Sequence, residues 1–324
     1  MEEIASFSMD LRIFTEPQQG ASHADLLAAA KATRSAGFSA FFRSDHVLAM
    51  GTTGLPGPSD TMVSLAALAA QVPDIKFGSL VNSATFRHPS MLAIAAATID
   101  DISEGRLELG LGAGWFAEEH RAYGIPFGDS FGERFDRLTE QLEIITGLWA
   151  TPVGAEFDYH GSHFTLNGAP GLPKPVQRNS SGTPAIPLIL GGSGPRRTPA
   201  LAARFAADFN VGFRERDFIL AQHDRVRRAC EEIGRDPGDL VYSVSMAVCC
   251  AADDASLAER ARRMDRDLDK LRRDGLAGTP DEILTKLEDY QSAGVRRFYL
   301  QVLDPTDLDH IAYLGEHVRA AIAD

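Results

Sequence analysis

The sequence predicts a single α/β domain, a parallel (β/α)8 TIM barrel with insertions over the C-terminal rim of its strands. Three observations carry this. Short apolar runs alternate with helix-length amphipathic stretches almost without a break along 324 residues. Several of those runs stop in polar or glycine-rich segments, as strands do at the working end of a barrel. The length and an ordinary composition, 44% hydrophobic and 24% charged, suffice for one large core. A doubly wound open sheet is the main rival.

In chain order, residues 1–8 read as a flexible extension; they lack the basic n-region and apolar stretch of a secretory signal. The single domain then spans 9–324. Residues 10–14 form the first strand, and the Ala/Leu-rich stretch 21–36 a helix. Ala40–Arg43 is the second strand, and the Gly/Pro-rich loop 51–58 leads to a helix over 62–71. Residues 76–81 are the third strand. In 88–103, Met91, Ile94, Ala95, Thr98, Ile99 and Ile102 recur at helical spacing and predict the face that packs on the sheet. Residues 106–111 are the fourth strand, and the helix over 132–149 has Phe135, Leu138, Leu142, Ile145 and Trp149 on one stripe.

The rhythm fails over 151–184, rich in Gly, Pro, Asn and Ser, with short alternating pieces around Phe157, Tyr159 and Phe164. This predicts an insertion with one hairpin lying over the barrel mouth, too short to build a core of its own. Strands at 187–190 and 208–211 follow, each with a helix (197–206 and 217–234). The seventh strand, 240–250, precedes one highly charged helix over 255–274, whose charges read as a solvated face. Thr279, Pro280 and Glu282 stand at the cap, first-turn and capping-box positions of the next helix. Residues 297–303 are the eighth strand, and 308–323 a closing helix.

A formal net charge of −13 argues against a nucleic-acid partner, which requires clustered Lys and Arg. No apolar run approaches the ~18 residues of a membrane span. The three cysteines, Cys230, Cys249 and Cys250, are odd in number and lack metal spacing, which reads as reduced thiols in a cytoplasmic protein. The nine histidines show no paired ligand spacing, so no metal site is expected.

Four segments could carry chemistry. Asp45-His46 directly follows the second strand and could serve as acid and base, or as a hydrogen-bonded structural pair. Gly191-Gly192-Ser193-Gly194-Pro195 joins a strand to a helix, with Arg196 and Arg197 beyond; it reads either as an anion cradle or as a plain tight turn. It lacks both the Walker lysine and a complete Gly-x-Gly-x-x-Gly. At the end of the fourth strand, Gly112, Ala113 and Gly114 leave room for a flat group beside Trp115, or else permit close helix packing. Asn82-Ser83-Ala84-Thr85 could hydrogen-bond a cofactor rim. Glu16 and Glu119 are weaker candidates, since carboxylates at helix starts usually complement the dipole.

Together, Arg43-Ser-Asp-His46, Thr85-Phe-Arg-His-Pro89, Gly105-Arg-Leu-Glu-Leu-Gly-Leu-Gly-Ala-Gly-Trp115, Glu133-Arg-Phe-Asp136 and Gly191–Pro195 resemble the luciferase-like monooxygenase superfamily, in particular its oxidoreductases that use the deazaflavin coenzyme F420. The resemblance runs from about Met9 to the C-terminus. It implies a dimeric barrel binding the deazaflavin at the C-terminal rim. Asp45 and His46 would lie beside the ring, with Ala113 and Gly114 among its neighbours. Leu80, Val81 and Asn82 would back the ring through a bulged strand end, often with a non-proline cis peptide. Gly191, Gly192, Ser193, Gly194, Pro195 and Arg197 would hold the phosphodiester, and Glu16, Trp115, Glu119 and Arg214 would face substrate. The family's sugar-phosphate dehydrogenases carry a catalytic carboxylate where Trp115 stands, so alcohol oxidation is not expected here.

The implied activity is hydride transfer from reduced F420 to an activated C=C or C=N bond of a small molecule or modified peptide, with His46 handling the proton and Asp45 orienting it. An FMN-dependent monooxygenase on the same scaffold is the alternative; Arg196, Arg197 and Arg214 favour a coenzyme with an oligoglutamate tail. A non-catalytic deazaflavin-binding protein is the third reading.

Overall fold

The computed structural model describes residues 9–322, so the expected extension over 1–8 lies outside the described residues. Eight parallel strands close into a barrel: Asp10–Thr15, Ala40–Arg43, Lys76–Ser79, Leu107–Gly112, Leu188–Gly191, Asp208–Gly212, Val241–Cys250 and Arg297–Gln301. Each pairs in parallel with the next, and the eighth with the first, Asp10 opposite Arg297 through Phe14 opposite Gln301. The order excludes the open-sheet rival. No helix among the described residues is long and apolar enough to cross a membrane.

Alternation along the strands divides the side chains between two cores. Outward-facing Leu11, Ile13, Phe41, Phe77, Leu107, Leu109 and Leu111 pack with the surrounding helices in the main apolar cluster. Inward-facing Phe14, Phe42, Ile189 and Tyr299 form a smaller one, with Leu80 on it and the Phe42 and Tyr299 rings edge to face at 4.9 Å.

Around the strand starts the barrel interior is ionic. Arg12 of the first strand reaches across the interior to Glu108 of the fourth, which also accepts from Lys76 at 2.8 Å. Arg297 of the eighth strand contacts Asp10 and Asp208, both at 2.8 Å. The Tyr299 hydroxyl donates to Asp208 at 2.8 Å, tying the aromatic layer to the ionic one. Three cations, of which Lys76 is half exposed, face three carboxylates here, so every buried charge of the network has a partner, the condition under which such groups are tolerated inside.

Several expected boundaries move. The third strand stops at Ser79, and after a cis Leu80–Val81 peptide Asn82–Ser83 pairs with Leu111–Gly112. The expected charged helix over 255–274 is two, Asp254–Arg263 and Leu268–Asp274. Asp265 adopts a left-handed φ of 51° between them, and Asp267 caps the second. A short strand, Leu276–Gly278, then extends the seventh. On helix Pro89–Ile102, the expected face is mostly wrong, since of its six residues only Ile99 is buried. Met91 is 61% exposed and Ile102 43%, while Leu92, Ala93, Ala96 and Ala97 are buried with Ile99.

The 151–184 segment does contain a hairpin, Phe157–His160 with Thr165–Ala169, but it does not cover the mouth. It stands along helix Phe131–Ala150. The Glu140 carboxylate collects the amides of Ser162, His163 and Phe164, Tyr159 donates to Glu143 at 2.8 Å, and Lys174 caps the carbonyls of Leu148 and Trp149. Those partners fix the hairpin to the flank. The rim insertions come instead from residues 44–60 and 113–130.

Burial alone would raise the Glu108 carboxyl, but Arg12 and Arg297 overrule it and hold it at about 2, below its ordinary 4.5. A depressed folded value adds stability above the unfolded one, and that stability is lost as pH falls from about 4.5 towards about 2. Glu108→Gln is expected to cost about 3 kcal/mol at neutral pH by leaving the buried Arg12 only its 2.9 Å contact to Asp10, and to flatten the decline in stability over that acid window. Urea unfolding at several pH values checks both; an unchanged midpoint would dismiss the network.

Candidate active site

The loops that follow the strands gather most of the expected site residues at the C-terminal rim. Arg43 anchors the longest of them. Its buried guanidinium donates to the hydroxyls of Ser59 and Ser64 at 2.8 and 2.5 Å and to the Ser59 carbonyl, and burial pulls it down to about 10. The stretch after the second strand is thereby held at both ends, presenting Asp45 and His46 on a fixed backbone.

Those two residues point to different partners. Asp45, 3% exposed, takes a bidentate pair from Arg87 (2.7 and 3.1 Å) and the Ser83 amide at 3.3 Å. Arg87 also holds Asp60, the cap of helix Thr61–Gln71, at 2.7 Å. Asp45 therefore does not orient His46; its oxygens are committed to stitching the second-strand loop to the third. His46 faces Glu119, with Nδ1 3.1 and 3.2 Å from the two carboxylate oxygens, and the same carboxylate accepts from the Val47 amide at 3.0 Å. Trp115, 66% exposed, and Phe116 meet the His46 ring edge-on at 5.4 and 5.9 Å.

Glu119 sits at the start of a short helix, Ala117–Tyr123, to which the sequence reading gave no bounds. Its neighbour His120 is buried too, stacked on Phe86, with Nε2 2.6 Å from the Thr85 hydroxyl and Nδ1 2.9 Å from the Phe116 carbonyl. Thr85 in turn meets Ser83 at 2.6 Å. These adjacent buried polar side chains dock the short helix on the rim, so Glu119 does more than complement a dipole. Across the mouth, burial raises the carboxyl of Glu16, whose electrostatic neighbours include His46 and Arg266.

Leu80 rests on the inner aromatic cluster and forms the floor of the mouth. The Asn82 side chain turns away, donating to the Gly110 carbonyl at 3.1 Å and to Ser79. The room left by the fourth-strand glycines is taken by the chain itself. A Cβ on Gly112 would come within 2.9 Å of Val81, and one on Gly114 within 2.5 Å of the Ser83 hydroxyl. The expected space for a flat group at these two positions is therefore absent; they serve close packing of the third-strand end.

The glycine loop is different. Helix Arg197–Phe205 starts behind it with no side-chain cap. The Thr198 hydroxyl, on a residue 4% exposed, has no hydrogen-bond partner and lies 2.8 Å from where a Cβ on Gly194 would stand. A buried donor without a partner, next to uncapped helix amides, is the feature a bound anionic oxygen satisfies. Arg197, expected to join it, is turned to Asp136 at 2.5 Å and lies over Phe135. Arg214 lines a separate hollow of about 210 Å³ with Arg216, Arg273 and Lys286, away from the other expected residues.

Arg87→Met would leave the Asp45 carboxylate buried and unpaired. A loss of about 3 kcal/mol in chemical denaturation is expected, against less than about 1 kcal/mol for the exposed pair removed by Arg204→Met. Equal small losses would show that the Asp45 clamp does not hold the rim.

The comparisons with known proteins agree on the scaffold. The family model described as luciferase-like monooxygenase matches residues 7–275. The pyrimidine monooxygenase RutA of Escherichia coli (strain K12) is 32% identical over 206 residues, 62% of this chain and 50% of that protein. The chain thus spans about half the length of the curated relatives it matches. An F420-dependent secondary alcohol dehydrogenase, solved with an F420–acetone adduct, superposes with a TM-score of 0.81 at 18% identity, covering 97% of this chain and 99% of that one. The monooxygenase RslO1 from Streptomyces bottropensis gives 0.78 at 22% identity, again covering 97% and 99%. At such identities these structures show a shared fold.

Proposed function

The chain belongs to the luciferase-like monooxygenase family, a family of oxidoreductases, and from that premise we propose that it is a coenzyme F420-dependent reductase acting on an activated C=C or C=N bond of a small molecule or modified peptide. The observation that carries the reading is the unpartnered Thr198 hydroxyl beneath Gly194, at a helix start that no side chain caps. It suits a coenzyme tethered by phosphate. Gly191, Gly192, Ser193, Gly194, Pro195 and Thr198 would hold that group. Leu80, Val81 and the Asn82 backbone would back the ring, and Arg196, exposed just past the loop, suits an acidic tail.

When bound, the reduced deazaflavin supplies the hydride. His46 carries the proton in this reading: it is 18% exposed in its side chain, held from behind by Glu119 and walled by Trp115 and Phe116. The two aromatic rings exclude water from one side of the imidazole and give a planar substrate an apolar surface. Burial raises the carboxyl of Glu16, which counts His46 among its electrostatic neighbours and is kept as a candidate substrate contact.

The relation to RutA, named as a monooxygenase, supports an FMN-dependent oxygenase as the second reading. Absorption and fluorescence titrations of the full chain with F420 and with FMN separate the two. Saturable binding of F420 with turnover is expected; preference for FMN would overturn the assignment, and F420 binding without turnover on any substrate would point to a carrier protein. Thr198→Val is expected to weaken coenzyme binding about tenfold, the cost of one hydrogen bond to a charged group. His46→Ala should lower kcat roughly 100-fold while leaving the coenzyme Kd within about threefold; an unaltered kcat would remove His46 from the chemistry.

A further inference from the structure

Glu119 offers more than a contact to substrate. Its carboxylate is 2% exposed and comes from a helix separate from the loop that bears His46. Both oxygens lie within hydrogen-bond distance of one ring nitrogen, Nδ1, and one of them also accepts from the Val47 amide. An ionised carboxylate can only accept, so the proton between the two groups sits on Nδ1. The neutral ring then has its lone pair on Nε2, which meets no hydrogen-bond partner among the described residues. A ring free to rotate would lose this order, but Trp115 and Phe116 meet it edge-on, both at 79°.

We infer that Glu119 is the positioning residue of the site: it fixes the Nδ1–H tautomer of His46, so that Nε2 is the atom that takes up and releases the proton. This rests on the proposed role of His46 and assigns to Glu119 the orienting part that the sequence suggested for Asp45, whose oxygens are engaged by Arg87 and Ser83. The helix is well placed to keep the pair aligned. His120, one residue on, is locked between the Thr85 hydroxyl and the Phe116 carbonyl, so Glu119 cannot shift without breaking a second buried contact. No basic side chain other than His46 comes within ion-pair distance of Glu119 among the described residues. The carboxylate is thus dedicated to this imidazole and to the Val47 amide. A carboxylate fixed behind an imidazole in this way selects the tautomer and leaves the far nitrogen to exchange protons.

The test reads the ring directly and needs no coenzyme. In the full chain with ¹⁵N-labelled histidine, long-range ¹⁵N–¹H correlation at neutral pH, assigned by loss of the signal in His46→Gln, is expected to show a protonated Nδ1 and a bare Nε2 while the ring is neutral. Glu119→Gln, whose amide can donate as well as accept, is expected to shift the ring towards Nε2–H and to lower kcat about 100-fold with KM and coenzyme affinity within about threefold. Glu119→Asp, which keeps the carboxylate, should restore the tautomer and most of kcat. A wild-type ring that carries its proton on Nε2, or a Glu119→Gln protein with unaltered tautomer, would overturn the inference whether or not that variant folds well enough for kinetics. Failure of F420 to bind would instead strike the functional reading and leave the tautomer result standing.

Discussion

The balanced ion network inside the barrel constrains everything above it. Arg12, Lys76 and Arg297 meet Asp10, Glu108 and Asp208 around the strand starts, and Tyr299 bonds to Asp208 from the next layer. Salt bridges of this kind add little net stability over apolar packing, but removing one partner is costly. Their consequence here is geometric. They fill one end of the barrel with groups that must stay paired, and Phe14, Phe42, Ile189 and Tyr299 close the middle. The expected site residues gather at the other end, where the loops are, although a hollow of about 500 Å³ also opens beside Asp10, Tyr242 and Arg297 at the strand starts.

That end is built by pairing loops to one another across long stretches of sequence. Arg87 joins Asp45 to Asp60, Glu119 joins His46 and Val47 to the helix after the fourth strand, and Thr85 joins His120 to Ser83. Each contact joins a charged or polar group to a specified partner, and Asp45, Glu119 and His120 are buried, so each is directional in a way that apolar packing is not. The rim therefore has a defined shape before any ligand arrives, the preorganisation that the proposed hydride transfer would need if two reactants are to be held at short range.

The barrel itself was legible because alternation of strand and helix is local, and all eight strand positions agree with the structure to within a residue or two. What failed depends on partners distant in sequence. The 151–184 hairpin was expected over the mouth, but it follows a helix rather than a strand, and Glu140 and Lys174 bind it to the flank of that helix. Helix Pro89–Ile102 has two overlapping apolar stripes, and the one rich in alanine is buried because small side chains let it approach the barrel closely. The break at Asp265 and the short strand after it are hidden under a run of charge that reads as one helix.

In the site, the adjacency of Asp45 and His46 suggested a working pair, yet neighbours on an extended chain point to opposite sides, and 73 residues separate His46 from its real partner. The glycines at 112 and 114 looked like room for a ligand and instead admit Val81 and Ser83. The late glycine loop does join a strand to a helix, as its local sequence indicates, whereas the uncapped helix start and the Thr198 hydroxyl left without a partner become visible only in the structure.

The most direct measurement is a crystal structure of the full chain with F420. The expected result puts the deazaflavin ring over Leu80 and Val81 with His46 Nε2 facing it, and the phosphodiester on the amides of Gly192–Gly194 and the Thr198 hydroxyl. A coenzyme seated elsewhere, or a mouth closed by Leu80, Trp115 and Phe116 against one another, would contradict it.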